Sequence, residues 1–196
     1  MHEVSLNQLI TDYVSGREIM DTTYEDLRQA LARMLVEDKF YPRSSVHPKY
    51  LIDFHAGKEA QSATIDIAVF TPDSRPALAL FFHPGEVGTF VRQSVAAARI
   101  HAPAPFPLVV VTDSMEALVV ETRTAAEIGR GFYQIPRWGQ MEEMLTRHPC
   151  PALAPDRLEG ERRILAAYLS LGGPCCGGAC PDRKSTRLNS SHQPLS

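Results

Sequence analysis

Apolar residues recur at three- and four-residue spacing in the first quarter of the chain, which is the period of an amphipathic helix. The stripe consists of Leu27, Ala30, Leu31, Met34 and Leu35. Residues 21–23 (Asp-Thr-Thr) have side chains suited to capping a helix, and Glu25 follows where a carboxylate favours the helix dipole. Pro42 is incompatible with continuing the helix. The pattern therefore predicts a helix that starts near residue 21 and ends at about residue 41.

Apolar and β-branched residues then alternate in segments that predict strands. Three candidates lie at residues 50–54, 64–70 and 77–82, separated by turn-rich residues 56–62 and 72–76. A second amphipathic helix is predicted at 87–100, strands at 108–112 and 115–121, and helices near 140–147 and 158–170. Residues 108–112 are continuously apolar, as in a strand buried on both faces. The order α-β-β-β-α-β-β predicts an α/β fold with a mixed central sheet flanked by helices.

Length and organisation favour one domain with extensions. A chain of 196 residues is long enough for one ordinary domain with a buried core. We predict an N-terminal extension at 1–20, a core at 21–125, a C-terminal helical extension at 126–171 and a disordered tail at 172–196.

Composition predicts a folded cytoplasmic protein. Hydrophobic residues make up 44% and charged residues 22%, both typical of globular proteins. Polar residues and proline interrupt every apolar run before it is long enough to span a membrane, and residues 1–10 lack the pattern of a secretory signal. Cys150 is isolated, and the other three cysteines crowd into residues 175–180, which favours reduced thiols over a disulfide scaffold.

The end of the chain changes the interpretation of charge. Residues 182–192 resemble a translated sequencing-library adapter, so residues 182–196 are interpreted as foreign to the fold. This segment holds three basic residues and one acidic residue, so the rest of the chain carries −5 instead of −3. A mildly acidic protein is not expected to bind nucleic acid strongly and nonspecifically, although a local basic face is compatible with that charge.

Several segments together resemble a known family. Residues 12–18 (DYVSGRE), 21–29 (DTTYEDLRQ) and 35–42 (LVEDKFYP) resemble the opening of the N-terminal domain of type I restriction enzyme R subunits, a branch of the PD-(D/E)xK nuclease superfamily. Residues 65–70 (IDIAVF) resemble the strand that carries the family's metal-binding Asp, and 78–84 lie where the family carries Glu-x-Lys. The resemblance covers about residues 12–121 and implies a restriction-endonuclease-like fold.

This resemblance implies Mg²⁺-dependent hydrolysis of a DNA phosphodiester. Two carboxylates are needed because a hard cation prefers oxygen ligands, and the metal then orients and acidifies the attacking water. The Lys supplies positive charge beside the developing phosphate charge. Asp66 matches the metal-binding Asp, Glu25 matches the first-helix Glu that supports the metal, and Gln93 matches a downstream site Gln.

The expected site also departs from the family pattern. Phe81 occupies the Glu position, His83 occupies the Lys position, and Ala97 replaces a Tyr that often follows Gln93 by four residues. A phenyl ring cannot bind Mg²⁺, and histidine is not permanently charged. Glu86 is a possible migrated ligand, because it lies three residues after His83 on a Pro-Gly turn. The catalytic candidates are thus Asp66, His83 and Gln93, and the metal candidates are Asp66, Glu25 and Glu86.

Each candidate has a simpler structural interpretation. Asp66 would end a strand near solvent, Gln93 would be an exposed helix residue, and His83 would contact Pro84 at a strand end. Glu25 would only favour the helix N-terminus. These alternatives stay open at the level of sequence.

Other chemistry is weakly indicated. Cys175, Cys176 and Cys180 do not have CxxC spacing, and no His lies close to them, so they form a weak zinc candidate. The glycines at 85 and 88 lack the Gly-Lys-Ser/Thr of a phosphate loop.

We therefore expect a catalytically degenerate nuclease-fold protein that binds DNA or a protein partner, such as another restriction-modification subunit, but no membrane. Two alternatives are an active Mg²⁺-dependent endonuclease with a migrated carboxylate, and an interaction protein without nucleic-acid binding. Mg²⁺ is expected only if the domain is active. A basic surface near Arg17, Arg28, Lys49 and Arg92 would favour DNA binding.

Overall fold

The structure is a computed structural model that describes residues 4–171 of the chain. Within this range the strands are β1 Ser5–Thr11, β2 Glu18–Thr22, β3 Val46–Ala56, β4 Glu59–Phe70, β5 Pro76–Phe82, β6 Leu108–Thr112, β7 Ala117–Glu121 and β8 Ala126–Arg130. The α-helices are α1 Glu25–Arg33, α2 Val87–Ile100, α3 Met141–Arg147 and α4 Pro155–Leu171. A π-helical turn, Met34–Asp38, extends α1.

Six strands form one mixed sheet in the order β3-β4-β5-β6-β7-β8. Only β5 and β6 pair in parallel, with α2 as the crossover between them, and the other neighbours are antiparallel. The predicted order of one helix, three strands, one helix and two strands is therefore confirmed. So is the α/β class with a mixed sheet flanked by helices.

Apolar side chains cover both faces of the sheet. One buried cluster joins the sheet to α2 and α4, and includes Ile65, Phe81 and Val95. The other joins the sheet to α1 and α3, and includes Leu31 and Phe82. All five residues of β6 are buried, as its continuous apolar run predicts.

The structure differs from the sequence prediction at several elements. The helix α1 begins at Glu25 rather than near residue 21, and Tyr24 makes no capping hydrogen bond through its side chain. The predicted capping role of residues 21–23 is wrong, since the Asp21 carboxylate instead accepts a hydrogen bond from Gln8. The expected turn at 56–62 is only residues 57–58, because β3 and β4 extend into a long hairpin.

Three strands were not predicted. β1 and β2 form a separate two-stranded sheet, and β8 joins the main sheet within the segment expected to be helical. The predicted tail, with its three clustered cysteines, and residues 182–196 lie outside the described residues. Within residues 4–171, no helix has the length and apolar character needed to cross a membrane.

In the β3–β4 hairpin, the alternation of side chains between the two faces of the sheet is interrupted at one position. In β4, Ile65 packs on the α2 side of the sheet, whereas Ile67 packs on the α1 side. Strict alternation would put both on the same side. The residue between them is Asp66, and Lys49 of β3 lies across from it, between the paired residues Pro48–Ile67 and Tyr50–Ile65. Lys49 has a φ of 51°, a left-handed conformation that locally reorients the strand.

Candidate functional site

Asp66 lies at this change of facing and is 7% exposed. One carboxylate oxygen accepts a hydrogen bond from the backbone N–H of Phe82 in β5, at 2.9 Å. The other oxygen lies 3.1 Å from Nη2 of Arg28 in α1. Asp66 is therefore a buried carboxylate bound to β5 and α1, and does not simply end a strand near solvent.

Glu25 lies beneath the same guanidinium and is fully buried. Its Oε2 accepts hydrogen bonds from Arg28 Nη1 at 2.5 Å and from Lys49 Nζ at 2.6 Å. Arg28 follows Glu25 by three positions, so both side chains lie on one face of α1. Arg28 is itself 2% exposed. Glu25 and Asp66 thus lie close together, but a guanidinium bridges them. We refer to Glu25, Arg28, Lys49 and Asp66 as the charge cluster.

Gln29 connects the charge cluster to the N-terminal strands. Its amide nitrogen donates to Oε1 of Glu25 at 2.9 Å and to the carboxylate of Asp12 at 3.0 Å, while its carbonyl accepts the backbone N–H of Tyr13. Burial would raise the pKa of Asp12, but hydrogen bonds from Ser15 and Gln29 outweigh it and the pKa is lowered. The segment after β1 is therefore attached to α1 by a chain of polar contacts.

His83 and Gln93 form a second pair, on the α2 side of the sheet. The Gln93 amide lies 3.1 Å from His83 Nε2, and the imidazole stacks on Phe90 with ring centroids 4.4 Å apart. Burial lowers the pKa of His83 to about 4, so the imidazole is neutral at pH 7. A neutral imidazole cannot supply the positive charge of the lysine that the sequence resemblance implies at this position.

Phe81 and Phe82 point to opposite sides of β5. Phe81 is buried in the α2-side cluster, whereas Phe82 is buried on the α1 side, where its ring lies 5.5 Å from that of Tyr24. The C-terminal end of β5 therefore places one aromatic side chain on each side of the sheet. Neither position offers a carboxylate to a cation beside Asp66.

Glu86 is exposed and immediately precedes α2. Its backbone carbonyl accepts the N–H of Thr89, and its side chain makes no capping hydrogen bond to the helix. The structure thus brings together Glu25 with Asp66, and His83 with Gln93, as two pairs on opposite sides of the sheet. Glu86 lies at the start of α2.

A divalent cation does not fit the charge cluster as it is folded. Both oxygens of Asp66 and both oxygens of Glu25 already accept hydrogen bonds from protein donors. These donors compete with a metal ion for the carboxylate oxygens, and a permanently charged guanidinium lies between the two carboxylates. Within residues 4–171, no group of three or more His, Cys, Asp and Glu side chains is arranged to hold a metal ion.

A basic groove lies beside the charge cluster. This groove, of about 520 Å³, is lined by Val14, Ser15, Arg43, Ser44, Val46, His47, Pro48, Lys49, Tyr50 and Leu51, none of which is acidic. The Arg43 guanidinium lies 4.3 Å from the centroid of the Tyr13 ring, a cation–π contact that orients it. Lys49 belongs both to the groove and to the charge cluster. We call this surface the basic groove.

The four basic residues singled out in the sequence do not form one surface. Arg28 is buried between carboxylates, and Lys49 is paired with Glu25. Arg92 lies on α2 and pairs with Glu161 of α4 at 2.6 Å. Arg17 is exposed near the first hairpin. Arg43 was missed by the sequence analysis, because an isolated arginine before a strand carries no local signal of a groove.

The family described as type I restriction enzyme R protein N terminus (HSDR_N) matches residues 23–136 of the chain. That range contains α1, all six strands of the main sheet and α2, and is more than half of the chain. The chain belongs to this family. No curated protein and no solved structure matches it. The resemblance identified from sequence is therefore confirmed, and the charge cluster and the His83–Gln93 pair lie within the matched region.

Proposed function

We propose that this chain is a catalytically inactive member of the type I restriction enzyme R N-terminal family that binds the backbone of DNA without cleaving it. The observation that carries the proposal is the basic groove. It lies beside the charge cluster, and its lining contains cationic and hydroxyl groups but no carboxylate. A surface of this composition suits phosphate oxygens. The family context favours a role in restriction-modification, with other subunits of such a system as protein partners.

Inactivity is supported by the groups around Asp66. Each carboxylate oxygen of Asp66 and Glu25 accepts a hydrogen bond from a protein donor, and the aromatic residues of β5 supply no second ligand. His83 is neutral at pH 7, so it does not stabilise negative charge as a lysine does. The PD-(D/E)xK chemistry requires a bound metal and a cation beside the reacting phosphate, whereas here Arg28 and Lys49 are paired with the carboxylates themselves.

DNA binding is supported by the arrangement of the groove. Arg43 is exposed and positioned by Tyr13, and Ser15 and Ser44 add hydroxyl groups to the lining of the groove. Such contacts read charge and shape rather than sequence, so we expect binding that is weak and strongly dependent on salt. Because the net charge of the chain is mildly acidic, we expect DNA to bind at this local basic surface and not over the protein as a whole.

The test is fluorescence anisotropy of a labelled short DNA duplex, measured at several salt concentrations. We expect the wild-type chain to bind and Arg43→Glu to lose most of the affinity. Arg43→Ala should reduce the salt slope by about 1, as expected for one lost phosphate contact. Arg157→Glu is the matched control, because Arg157 is an exposed arginine on α4, which packs on the other side of the sheet.

The outcomes separate the alternatives. Equal loss of affinity in Arg43→Glu and Arg157→Glu would show that binding does not use the groove. If the wild-type chain binds no duplex at low salt, the DNA proposal is wrong and the alternative of an interaction protein without nucleic-acid binding replaces it. Metal-dependent cleavage that disappears in Asp66→Ala would favour the active endonuclease with a migrated ligand.

A further inference from the structure

The charge cluster is balanced without any bound ion. Two carboxylates, Glu25 and Asp66, face two cations, Arg28 and Lys49, in the space between α1 and the β3–β4 hairpin. The side chains of Glu25 and Arg28 are 1% and 2% exposed, and that of Asp66 is 10% exposed. Buried charges need partners of opposite sign, and these residues provide them within the chain.

Arg28 occupies the central position of this cluster. One terminal nitrogen lies 2.5 Å from Glu25 and the other lies 3.1 Å from Asp66, so one guanidinium contacts both carboxylates, and Lys49 supplies the second positive charge. Arginine keeps its proton at any ordinary pH, so Arg28 cannot become neutral to allow a metal ion to bind. Adding a divalent cation to the intact cluster would leave excess positive charge in a buried site.

We propose that Arg28 is a built-in replacement for a divalent cation, which holds Asp66 and Glu25 in place and excludes metal from them. Removing the guanidinium then takes one of the two cations of the charge cluster away from two neighbouring buried carboxylates. Such a pair attracts a hard divalent cation, which prefers carboxylate oxygens and water. Arg28 is thus a positioning residue for Asp66, and its loss exposes a latent metal site.

This inference goes beyond the proposed function and does not depend on DNA binding. DNA binding in the basic groove is tested at Arg43, whereas the latent metal site is tested at Arg28 and Asp66. A chain that fails to bind DNA but behaves as expected toward metal would overturn only the former proposal.

The experiment compares thermal unfolding with and without millimolar Mn²⁺ for the wild type, Arg28→Met and Arg28→Met/Asp66→Asn. We expect no shift in the wild-type midpoint, a rise of several degrees in Arg28→Met, and loss of that rise in the double variant, because ligand binding to the folded state alone stabilises it. Arg99→Met is the matched control. Arg99 is also largely buried and is paired with a carboxylate, that of Glu161, at 2.6 Å.

Several results would overturn the proposal. One is Mn²⁺ stabilisation of the wild type that Asp66→Asn removes, since the intact cluster would then bind metal. Another is a folded Arg28→Met that Mn²⁺ does not stabilise, or an equal shift in Arg99→Met. If Arg28→Met is unfolded without metal, circular dichroism is recorded while Mn²⁺ is added to Arg28→Met and to Arg28→Gln. Recovery of folding on Mn²⁺ addition supports the latent site. If neither variant recovers its fold, the proposal is contradicted.

Discussion

Arg28 Nη2 lies 3.1 Å from the carboxylate of Asp66, although the two residues are 38 positions apart in the chain. Arg28 belongs to the first helix, and Asp66 lies where β4 changes the side of the sheet that its residues face. This contact fixes α1 to the sheet. It also gives Asp66, the metal ligand predicted from the resemblance, a cationic partner from within the protein.

Loss of this partner should destabilise the fold. In Arg28→Met, Asp66 and Glu25 keep their burial but lose the guanidinium, and removing one member of a buried ion pair costs about 3–5 kcal/mol. Urea unfolding in metal-free buffer measures the change. Arg33→Met is the control, since Arg33 makes an exposed pair with Glu37 and should cost at most about 1 kcal/mol. Equal losses in the two variants would contradict the structural role of Arg28.

The main sheet could be predicted from sequence because its signals are local. The strand β6 is five consecutive apolar residues, and α2 shows a helical period, so both were located closely. The strand β1 is almost entirely exposed, and the one buried residue of β2 is the polar Asp21, so no apolar alternation marks either strand. The strand β8 has no buried residue, which explains why it was not predicted.

The site was predictable only in part, for a different physical reason. Asp66, Glu25, His83 and Gln93 were found through the family resemblance, and the structure brings them together as two pairs. The role of Arg28 depends on the pairing of a helix with a distant strand. The change of facing at Asp66 depends on the register between β3 and β4. Neither relationship exists within any local window of sequence.

Purified protein should show no Mg²⁺- or Mn²⁺-dependent cleavage of plasmid or linear DNA. The reason is that β5 offers Asp66 no second carboxylate ligand, and that the cations of the charge cluster, Arg28 and Lys49, are paired with its carboxylates. Agarose gels after extended incubation provide the measurement, with Asp66→Ala as the control for contaminating nuclease. Cleavage by the wild type that Asp66→Ala abolishes would contradict this prediction.

Restoring the family pattern should not restore cleavage by itself. The double change Phe81→Glu with His83→Lys places both new side chains on the α2 side, whereas Asp66 is bound to Arg28 on the α1 side. We also expect loss of stability, because the new carboxylate replaces a phenyl ring that is 3% exposed. The control is the same double change combined with Asp66→Ala. Metal-dependent cleavage that this control lacks would contradict the prediction, because the side chains at positions 81 and 83 would then share a metal site with Asp66.

Stability should fall on acidification through the titration of His83. Burial lowers its pKa from 6.5 to about 4, so the folded state binds a proton less readily than the unfolded state. The contribution is therefore complete above pH 6.5 and is lost as the pH falls toward 4, amounting to about 3 kcal/mol by linkage. Urea unfolding at several pH values measures the slope.

The variant His83→Phe should reduce that slope, because phenylalanine preserves the stacking on Phe90 but does not titrate. Some acid sensitivity should remain, since burial also lowers the pKa of His101. The matched control is His55→Phe, at an exposed position in β3. An unchanged slope in His83→Phe would contradict the assignment of a buried, neutral imidazole to position 83.

The carboxylate of Glu161 should hold the last described helix onto α2. It accepts hydrogen bonds from Arg92 and Arg99, both at 2.6 Å, and is 8% exposed. Since α4 lies beyond the matched residues 23–136, this contact attaches an element outside the family region to the family core. Glu161→Gln keeps the shape but removes the charge, so we expect a loss of about 1.5–3 kcal/mol, typical of hydrogen bonds to charged groups.

Urea unfolding gives the total loss, and amide hydrogen exchange locates it. Exchange should accelerate in α4 and along the α2 surface beneath it, while β6 stays protected, because local contacts open before the central strands do. Glu159→Gln is the control, since Glu159 lies on the same helix and its contacts, an ion pair with Arg163 and a hydrogen bond from the Gly57 N–H, are more exposed than those of Glu161. Uniform acceleration across β6 and α4 would show that Glu161 supports the whole domain rather than the attachment of this helix.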